Sequence, residues 1–294
     1  MTEALRGHLA MLAFSAIVAG SFSLGALIAN EVAPIALMAV RFLLAAVALG
    51  VVVQMTIGFR GHGAARGLWR YLVLGGLYAT YFVLMFEALK TAEPVSTSAI
   101  FTLTPLIAGL FGFLLLRQVM TSRMALALSV GAIGALWVIF RADLQALLRF
   151  EVGRGEVIYF FGMVAHAVYT PMVARLNRGE PVLIFTFGAL AAGFVLLTVL
   201  GWSEIRATDW AALPGLVWII LVYLAVMASA VSMLCVQYAS LRLPSAKVMA
   251  YTYLTPSWVI CWEIALGHQG PVGVVLFGIA LTVVALVLLL KNER

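Results

Sequence analysis

Residues 33–54 read APIALMAVRFLLAAVALGVVVQ. Arg41 is the single charge in the run, and apolar side chains do not alternate with polar ones. A helix that crosses a bilayer needs about 20 mainly apolar residues. A strand of a membrane barrel would show a period of two over about ten residues. The stretch therefore predicts a transmembrane helix that Pro34 opens, where a missing N–H costs nothing.

The rest of the chain repeats this pattern. Of 294 residues, 64% are hydrophobic and 10% charged, and the mean hydropathy is +1.11. A water-soluble domain carries roughly 25% charged residues, so lipid must replace water over most of this surface. Unpaired backbone groups in lipid cost several kcal/mol each, which leaves helices as the spanning element. Ten segments meet the requirement, at 8–29, 33–54, 68–90, 94–116, 122–140, 155–175, 181–201, 214–240, 244–266 and 271–290. The fold class is all-α, a polytopic membrane protein. The stretches 55–67, 141–154 and 202–213 read as loops too short to hold a soluble domain. No cleavage site follows the first apolar run, which reads as a retained helix. Cys235 and Cys261 both fall in apolar runs and read as small core residues.

An even number of spans puts both termini on one side. With the termini inside, the inner set of Lys and Arg is Arg6, Arg60, Arg66, Arg70, Arg117, Arg123, Arg175, Arg178, Arg242, Lys247, Lys291 and Arg294, against Lys90, Arg141, Arg149, Arg154 and Arg206 outside. Twelve against five follows the positive-inside rule and predicts a plasma (inner) membrane protein with cytoplasmic termini. The same bias accounts for the net charge of +6 without a nucleic-acid partner.

The two halves echo each other. Pro34 and Pro181 open the second and seventh segments at an offset of 147. At that offset Ala19-Gly20-Ser21-Phe22 meets His166-Ala167-Val168-Tyr169. Leu89-Lys90 resembles Leu241-Arg242, and Leu103-Thr104-Pro105 matches Leu254-Thr255-Pro256. Gln118 and Gln269 each lie 13 residues after those prolines. The expected division is 1–147 and 148–294, five helices each. Because five is odd, the second unit starts on the opposite side, which makes an inverted repeat. Inverted repeats are a common build of secondary transporters, with the solute near the midplane where the units meet.

These residues resemble the drug/metabolite transporter superfamily in its EamA-type ten-helix form. The resemblance is carried by Pro34, by Arg41-Phe42-Leu43-Leu44-Ala45-Ala46, by Ala88-Leu89-Lys90, by Thr104-Pro105 and by Gly131 with Gly134. Ser240-Leu241-Arg242, Thr255-Pro256 and Gly273 with Gly278 carry it in the second half. It covers nearly the whole chain and is nearest to the YddG-type exporters of aromatic and other neutral amino acids. The sequence departs from the family at Gln118 and Gln269, where Glu is usual. It departs again at Ala19 and His166, where Trp is frequent, and at Gly188, which offers no counterpart to Arg41.

What the resemblance implies is an exporter of small metabolites with a cavity between helices 3, 4, 6, 8 and 9. Helical spacing then selects the faces. Helix 3 offers Tyr78, Tyr81, Phe82 and Met85, and helix 4 offers Ser98 and Phe101. Helix 6 offers His166 and Tyr169, helix 8 Ser229, Met233 and Gln237, and helix 9 Tyr251, Thr255 and Trp258. Flat apolar walls suit an aromatic side chain, and hydroxyl, amide and imidazole groups suit amino and carboxylate ends. Charges inside a membrane mark function by default, and two courses stay open for Arg41: it pairs with Glu87 or Glu263 and holds the outer side together, or it finds backbone carbonyls while the two acids reach outer water. Pro105 and Pro256 break matching helices and read as hinges or inert kinks.

No Asp or Glu falls in the middle of a segment, and His166 is the one central titratable group. Facilitated diffusion by alternating access is therefore expected, with a proton-coupled drug/metabolite efflux carrier as the alternative. An intramembrane enzyme is disfavoured, since no HExxH, GxSxG or paired central carboxylates occur. A channel is disfavoured by the lack of repeated like groups along one pore. Scarce central Lys and Arg disfavour nucleotide sugars. No cofactor, metal or obligate protein partner is implied; the expected partners are a small-molecule solute, an amino acid or similar metabolite, and membrane lipid.

Overall fold

A computed structural model describes residues 3–59, 67–119, 121–140, 152–268 and 273–290. The described residues form helices and turns, with no strand among them. Among the described residues eight helices are long and apolar enough to cross a membrane: α1 Glu3–Ile28, α2 Pro34–Thr56, α3 Trp69–Ala88, α4 Pro94–Leu116, α5 Ser122–Ile139, α6 Arg154–Leu176, α7 Val182–Leu200 and α8 Gly215–Ser240. Two further helical segments follow, α9 over 245–265 and α10 Gly273–Leu290. Each coincides with an expected segment to within a few residues. At 1.5 Å per residue, about 20 residues match the ~30 Å hydrocarbon core.

The caps show why the elements begin where they do. Pro34 and Pro94 sit in the first turns of α2 and α4. The Thr121 hydroxyl accepts the Met124 amide at 3.3 Å and caps α5. The α4 helix ends on Arg117 in the left-handed region, φ 53°, with the Gln118 amide reaching back to the Gly112 carbonyl at 3.2 Å. That is a left-handed helix stop built without glycine.

Four features depart from the sequence expectations. First, α1 starts at Glu3 rather than near residue 8. Second, a short helix, Trp202–Ala207, occupies part of the stretch read as a loop. Third, α8 contains a π turn at Val226–Val231 and α9 a 3₁₀ turn at Ala250–Leu254. Fourth, Cys235 is only partly buried and Cys261 is exposed, both as free thiols, so Cys261 is not a core residue. Gln269, which entered the repeat argument, and Arg60, Arg66, Arg141, Arg149, Lys291 and Arg294, which entered the charge argument, lie outside the described residues.

The two proline breaks are not equivalent. Pro105 has no N–H for the Phe101 carbonyl one turn back. The Thr104 hydroxyl donates to that carbonyl instead, the repair expected of Thr in a membrane helix. At the matching place in α9 the Thr255 hydroxyl is buried without a partner. Thr104→Val should therefore destabilise the protein by about 1–3 kcal/mol, the cost of an orphaned buried acceptor, whereas Thr255→Val should be neutral or stabilising. Thermal unfolding of the two variants in detergent checks this. Equal losses would contradict the asymmetry.

Small residues bring helices together, as expected of membrane interfaces. A Cβ on Gly134 of α5 would lie 2.6 Å from the Gly278 carbonyl oxygen of α10, and one on Gly278 would lie 2.7 Å from the Gly134 carbonyl oxygen. The obstacle on each side is backbone, which cannot swing away. Gly134→Leu should therefore cost about 3 kcal/mol, at the upper end for overpacking, read as a lower melting temperature. An unchanged melting temperature would show that the two backbones can part freely.

Candidate solute-binding site

His166 of α6 sits at the centre of a ring of aromatic side chains. Its ring centroid lies 4.5 Å from that of Tyr81, 5.2 Å from Phe101 and 5.8 Å from Tyr78. Phe14 lies at 6.0 Å and Tyr169 at 6.3 Å. Phe22 and Tyr159 close the ring beyond Phe101 and Tyr81. All eight side chains are fully buried. Helices α1, α3, α4 and α6 thus converge on one imidazole.

The imidazole itself is unsatisfied. Neither His166 ring nitrogen has a hydrogen-bond partner. Tyr81 and Tyr159 lie with ring centroids 6.2 Å apart, close enough to influence each other, yet neither hydroxyl makes a hydrogen bond of ordinary geometry. A buried polar group without a partner costs about 1–3 kcal/mol, and each such group in a native protein calls for an explanation. A cluster of them facing aromatic walls is what a polar solute with a flat apolar part would satisfy.

The cluster is anchored by polar links. The Gln237 amide of α8 donates to the Tyr169 hydroxyl at 2.8 Å, and its carbonyl accepts Thr186 of α7 at 2.7 Å. The Tyr78 hydroxyl meets Ser232 at 3.1 Å. Ser232 in turn donates to the Ala228 carbonyl at 2.9 Å.

Arg41 follows the second of the two courses the sequence left open, with a backbone carbonyl among its partners. It pairs with neither Glu87 nor Glu263. Glu87 binds Lys90 at 2.7 Å, and Glu263 binds His268 at 2.6 Å. Arg41 Nε donates to Ser229 at 2.6 Å, and Nη2 donates to the Ala228 carbonyl at 2.8 Å. Its guanidinium carbon stands 3.6 Å above the Phe82 ring. The reason is the π turn in α8, which contains both Ser229 and Ala228. A π turn loosens the i→i−4 ladder, and such turns occur often at functional sites.

The other expected site residues divide into two groups. Phe82 belongs to the cluster, 4.6 Å from Tyr81 and 4.9 Å from Tyr78. Met85, Ser98 and Met233 are buried in the same core, with the Ser98 hydroxyl turned back to the Val95 carbonyl. Tyr251 and Trp258 stand apart from the His166 ring. Tyr251 packs on His8 at 6.0 Å. Trp258 is 38% exposed, and its N–H reaches Ser15 at 3.2 Å. The 3₁₀ turn accounts for Tyr251: three residues per turn instead of 3.6 rotates it roughly 20° per residue off the expected face. The sequence reading missed Phe14, Phe22, Tyr159, Ser232 and Thr186. Phe14 and Phe22 lie eight residues apart on α1, and Tyr159 lies seven before His166, so helical spacing carried a signal for three of them.

The end of the bundle that holds the helix starts of α1, α3 and α9 is tied across the two halves of the chain. Arg70 of α3 pairs with Glu180 and donates to the Leu176 carbonyl. Arg175 donates to the Leu115 carbonyl. The Gln118 carbonyl accepts the Ser245 amide at 3.0 Å. Glu3 accepts from Arg242 at 2.7 Å. At the opposite end Ser96 donates to Glu156 at 3.0 Å. An external groove of about 540 Å³ between α2 and α7 is lined by residues such as Leu43, Val47, Phe187 and Phe194 and does not include His166. Its lining is apolar apart from Gln54, a surface for lipid tails rather than for a polar solute.

Comparison with known proteins agrees with this architecture. The chain is 24% identical over 262 residues to an uncharacterized transporter of Bacillus subtilis (strain 168), YyaM, covering 88% of this chain and 86% of that protein. One solved crystal structure superposes with a TM-score of 0.72 at 21% identity, covering 97% of this chain and 95% of the other, which bears on the fold alone. The profile of the EamA-like transporter family matches residues 5–140 and 153–291. With nearly the whole length matched, the chain belongs to the EamA-like transporter family and is a membrane transporter rather than an enzyme.

Proposed function

We propose that this transporter exports small metabolites, chiefly aromatic and other neutral amino acids, from the cytoplasm across the plasma membrane. The observation that carries the reading is the buried aromatic ring around His166, with both imidazole nitrogens unpartnered. An aromatic side chain would pack against Tyr81, Phe101 and Phe14 once these rings, which touch one another in this structure, move apart, while the imidazole and tyrosine hydroxyls receive its polar end. Two oppositely oriented halves, 1–147 and 148–294, would rock about this site. Support for that division comes from the double match of the family profile and from the paired Thr-Pro steps. The links Arg70–Glu180 and Gln118–Ser245 join the halves at the end we assign to the cytoplasm. They must part when the site opens inward. Pro105 and Pro256, which interrupt α4 and α9 near the middle, would give at that moment.

Facilitated diffusion is the favoured energetics. The buried acids among the described residues are Glu180 and Glu263. Both lie near helix ends, which leaves the aromatic cluster without a buried carboxylate among the described residues and supports a carrier that needs no proton. Proton-coupled efflux of drugs or metabolites is the second reading, favoured by one observation, the central His166, whose ordinary pKa is near 6.5. Efflux of a panel of labelled amino acids from proteoliposomes, at varied pH and voltage, tests both. The proposal expects aromatic amino acids to leave fastest at a rate that follows their own gradient. Accumulation against that gradient driven by a pH difference would establish the second reading, and no amino-acid efflux at all would remove the first.

A further inference from the structure

We infer that Arg41 receives the carboxylate of the solute, so that the transporter selects a flat apolar group bearing an anion and does not require an amine. The inference rests on the exporter reading and names the solute chemistry of the same site.

Arg41 is a fully buried cation in the second helix. Among the described residues the other buried charged side chains are Arg70, Glu180 and Glu263. Arg70 and Glu180 neutralise each other, and Glu263 is bound by His268. Arg41 therefore faces no carboxylate within the described protein. Its partners are a hydroxyl, a carbonyl and an aromatic face. Its third nitrogen, Nη1, has only the Met38 thioether, at 3.8 Å. Sulfur is a weak acceptor, so the strongest donor group in the bundle is held with one end almost unused. A charge kept in a membrane at such cost points to a ligand by default.

Its position matches the solute site. The Phe82 ring beneath the guanidinium is the wall that joins Arg41 to the cage, through Tyr78 and Tyr81 to His166. The polar network repeats that link: Tyr78 reaches Ser232, and Ser232 shares the Ala228 carbonyl with Arg41. A solute with its ring among the tyrosines and its carboxylate at Nη1 would satisfy the cation and the walls together. Guanidinium–carboxylate pairing is the strong, charge-assisted kind of hydrogen bond. For the ammonium end of an amino acid the described cage offers hydroxyls, carbonyls and ring faces but no buried carboxylate of its own.

Three ligands that share a phenyl ring separate the contributions: L-phenylalanine, 3-phenylpropanoate without the amine, and 2-phenylethylamine without the carboxylate. Affinity is measured by thermal shift of the full-length protein in detergent, and transport by counterflow in proteoliposomes. The expected order places phenylalanine and 3-phenylpropanoate at least about tenfold tighter than 2-phenylethylamine, the scale of a charged hydrogen bond. Arg41→Met should erase that preference, and Arg41→Lys should keep part of it. Equal affinity for the amine and the amino acid, an unchanged preference in Arg41→Met, or no binding of any of the three would overturn the inference. If Arg41→Met fails to fold, Arg41→Lys carries the test: a preference narrower than in the wild type supports the inference, and an unchanged one overturns it. Binding of 3-phenylpropanoate without any counterflow would spare the inference and remove the exporter reading. Counterflow of phenylalanine competed equally by 2-phenylethylamine would do the reverse.

Discussion

Replacing His166 by leucine is expected to give a more stable protein that no longer transports. The two substitutions of property oppose each other. Both imidazole nitrogens are buried without partners, and each unsatisfied group costs about 1–3 kcal/mol. Leucine fills a similar volume with no polar atom, so the empty protein should gain about 2 kcal/mol and melt several degrees higher. The solute loses its central polar contact at the same time. Transport should fall at least tenfold, the loss expected when a buried polar partner of a bound solute is removed. Thermal unfolding in detergent and flux in proteoliposomes, read on the same preparation, check both halves. A His166→Leu protein that melts lower would show that the imidazole is satisfied in the resting state. One that transports at the wild-type rate would show that the solute passes elsewhere. The sign of the stability change is the informative part, because a residue that only filled space would move both quantities down together.

The second large effect is expected at the link between Arg70 and Glu180. Both side chains are nearly inaccessible, 1% and 5% exposed, and the pair joins α3 to the turn between α6 and α7. Breaking a buried pair leaves one charge uncompensated and costs about 3 kcal/mol. Glu180→Gln should therefore destabilise by about that amount and loosen the inner end of the bundle. Replacing both partners, Arg70→Met with Glu180→Leu, should recover much of the loss, since two apolar groups leave no charge stranded. A double-mutant cycle by thermal unfolding measures the coupling. Simple additivity of the two single losses would mean that the pair does not act as a unit.

The same link sets a pH expectation. Burial pushes the Glu180 carboxyl up, but hydrogen bonds from the Arg70 side chain and the Arg178 amide outweigh it and leave the group below its ordinary value. A carboxylate held low in the folded state contributes fully above the ordinary carboxylate range. That contribution is lost as pH falls through its lowered value. The tie should accordingly hold through neutral and mildly acid conditions and weaken only below about pH 4. A lock that released near pH 6 would need another titrating group.

Much of the architecture was legible in the residues because lipid imposes one simple demand, a long apolar helix, on every segment. Pro34, Pro94 and Thr121 mark their helix starts in the sequence as they do in the structure. The aromatic cluster was legible too: Tyr78, Tyr81, Phe82, Phe101, His166 and Tyr169 come together from three helices. Constant helical periodicity was the part that failed. The π turn of α8 hands Ser229 to Arg41 and brings Ser232, not Met233, to Tyr78. The 3₁₀ turn of α9 carries Tyr251 away to His8. Pro256 marks the break that follows the 3₁₀ turn but not the tighter winding before it, and the π turn has no proline near it, so a count by 3.6 passes over both. Pairing with an acid, one of the two courses open to Arg41, fell away for a related reason. A carboxylate is the obvious mate for a buried cation, yet Glu87 and Glu263 have closer partners in Lys90 and His268. The partners of Arg41 come from a backbone irregularity that side-chain reading does not reveal. Phe14 and Phe22 were overlooked although Ser21 and Ser15 of α1 stand seven residues from them, because the family resemblance placed the cavity between other helices.

Counterflow in proteoliposomes puts the carrier at His166 to its most direct trial. Vesicles preloaded with unlabelled phenylalanine should draw in a transient excess of labelled phenylalanine, because a carrier returns loaded faster than it returns empty. The same vesicles bearing His166→Leu should draw in none. Equal counterflow with and without the imidazole, or entry of label that ignores the unlabelled amino acid inside, would contradict a carrier organised around that residue.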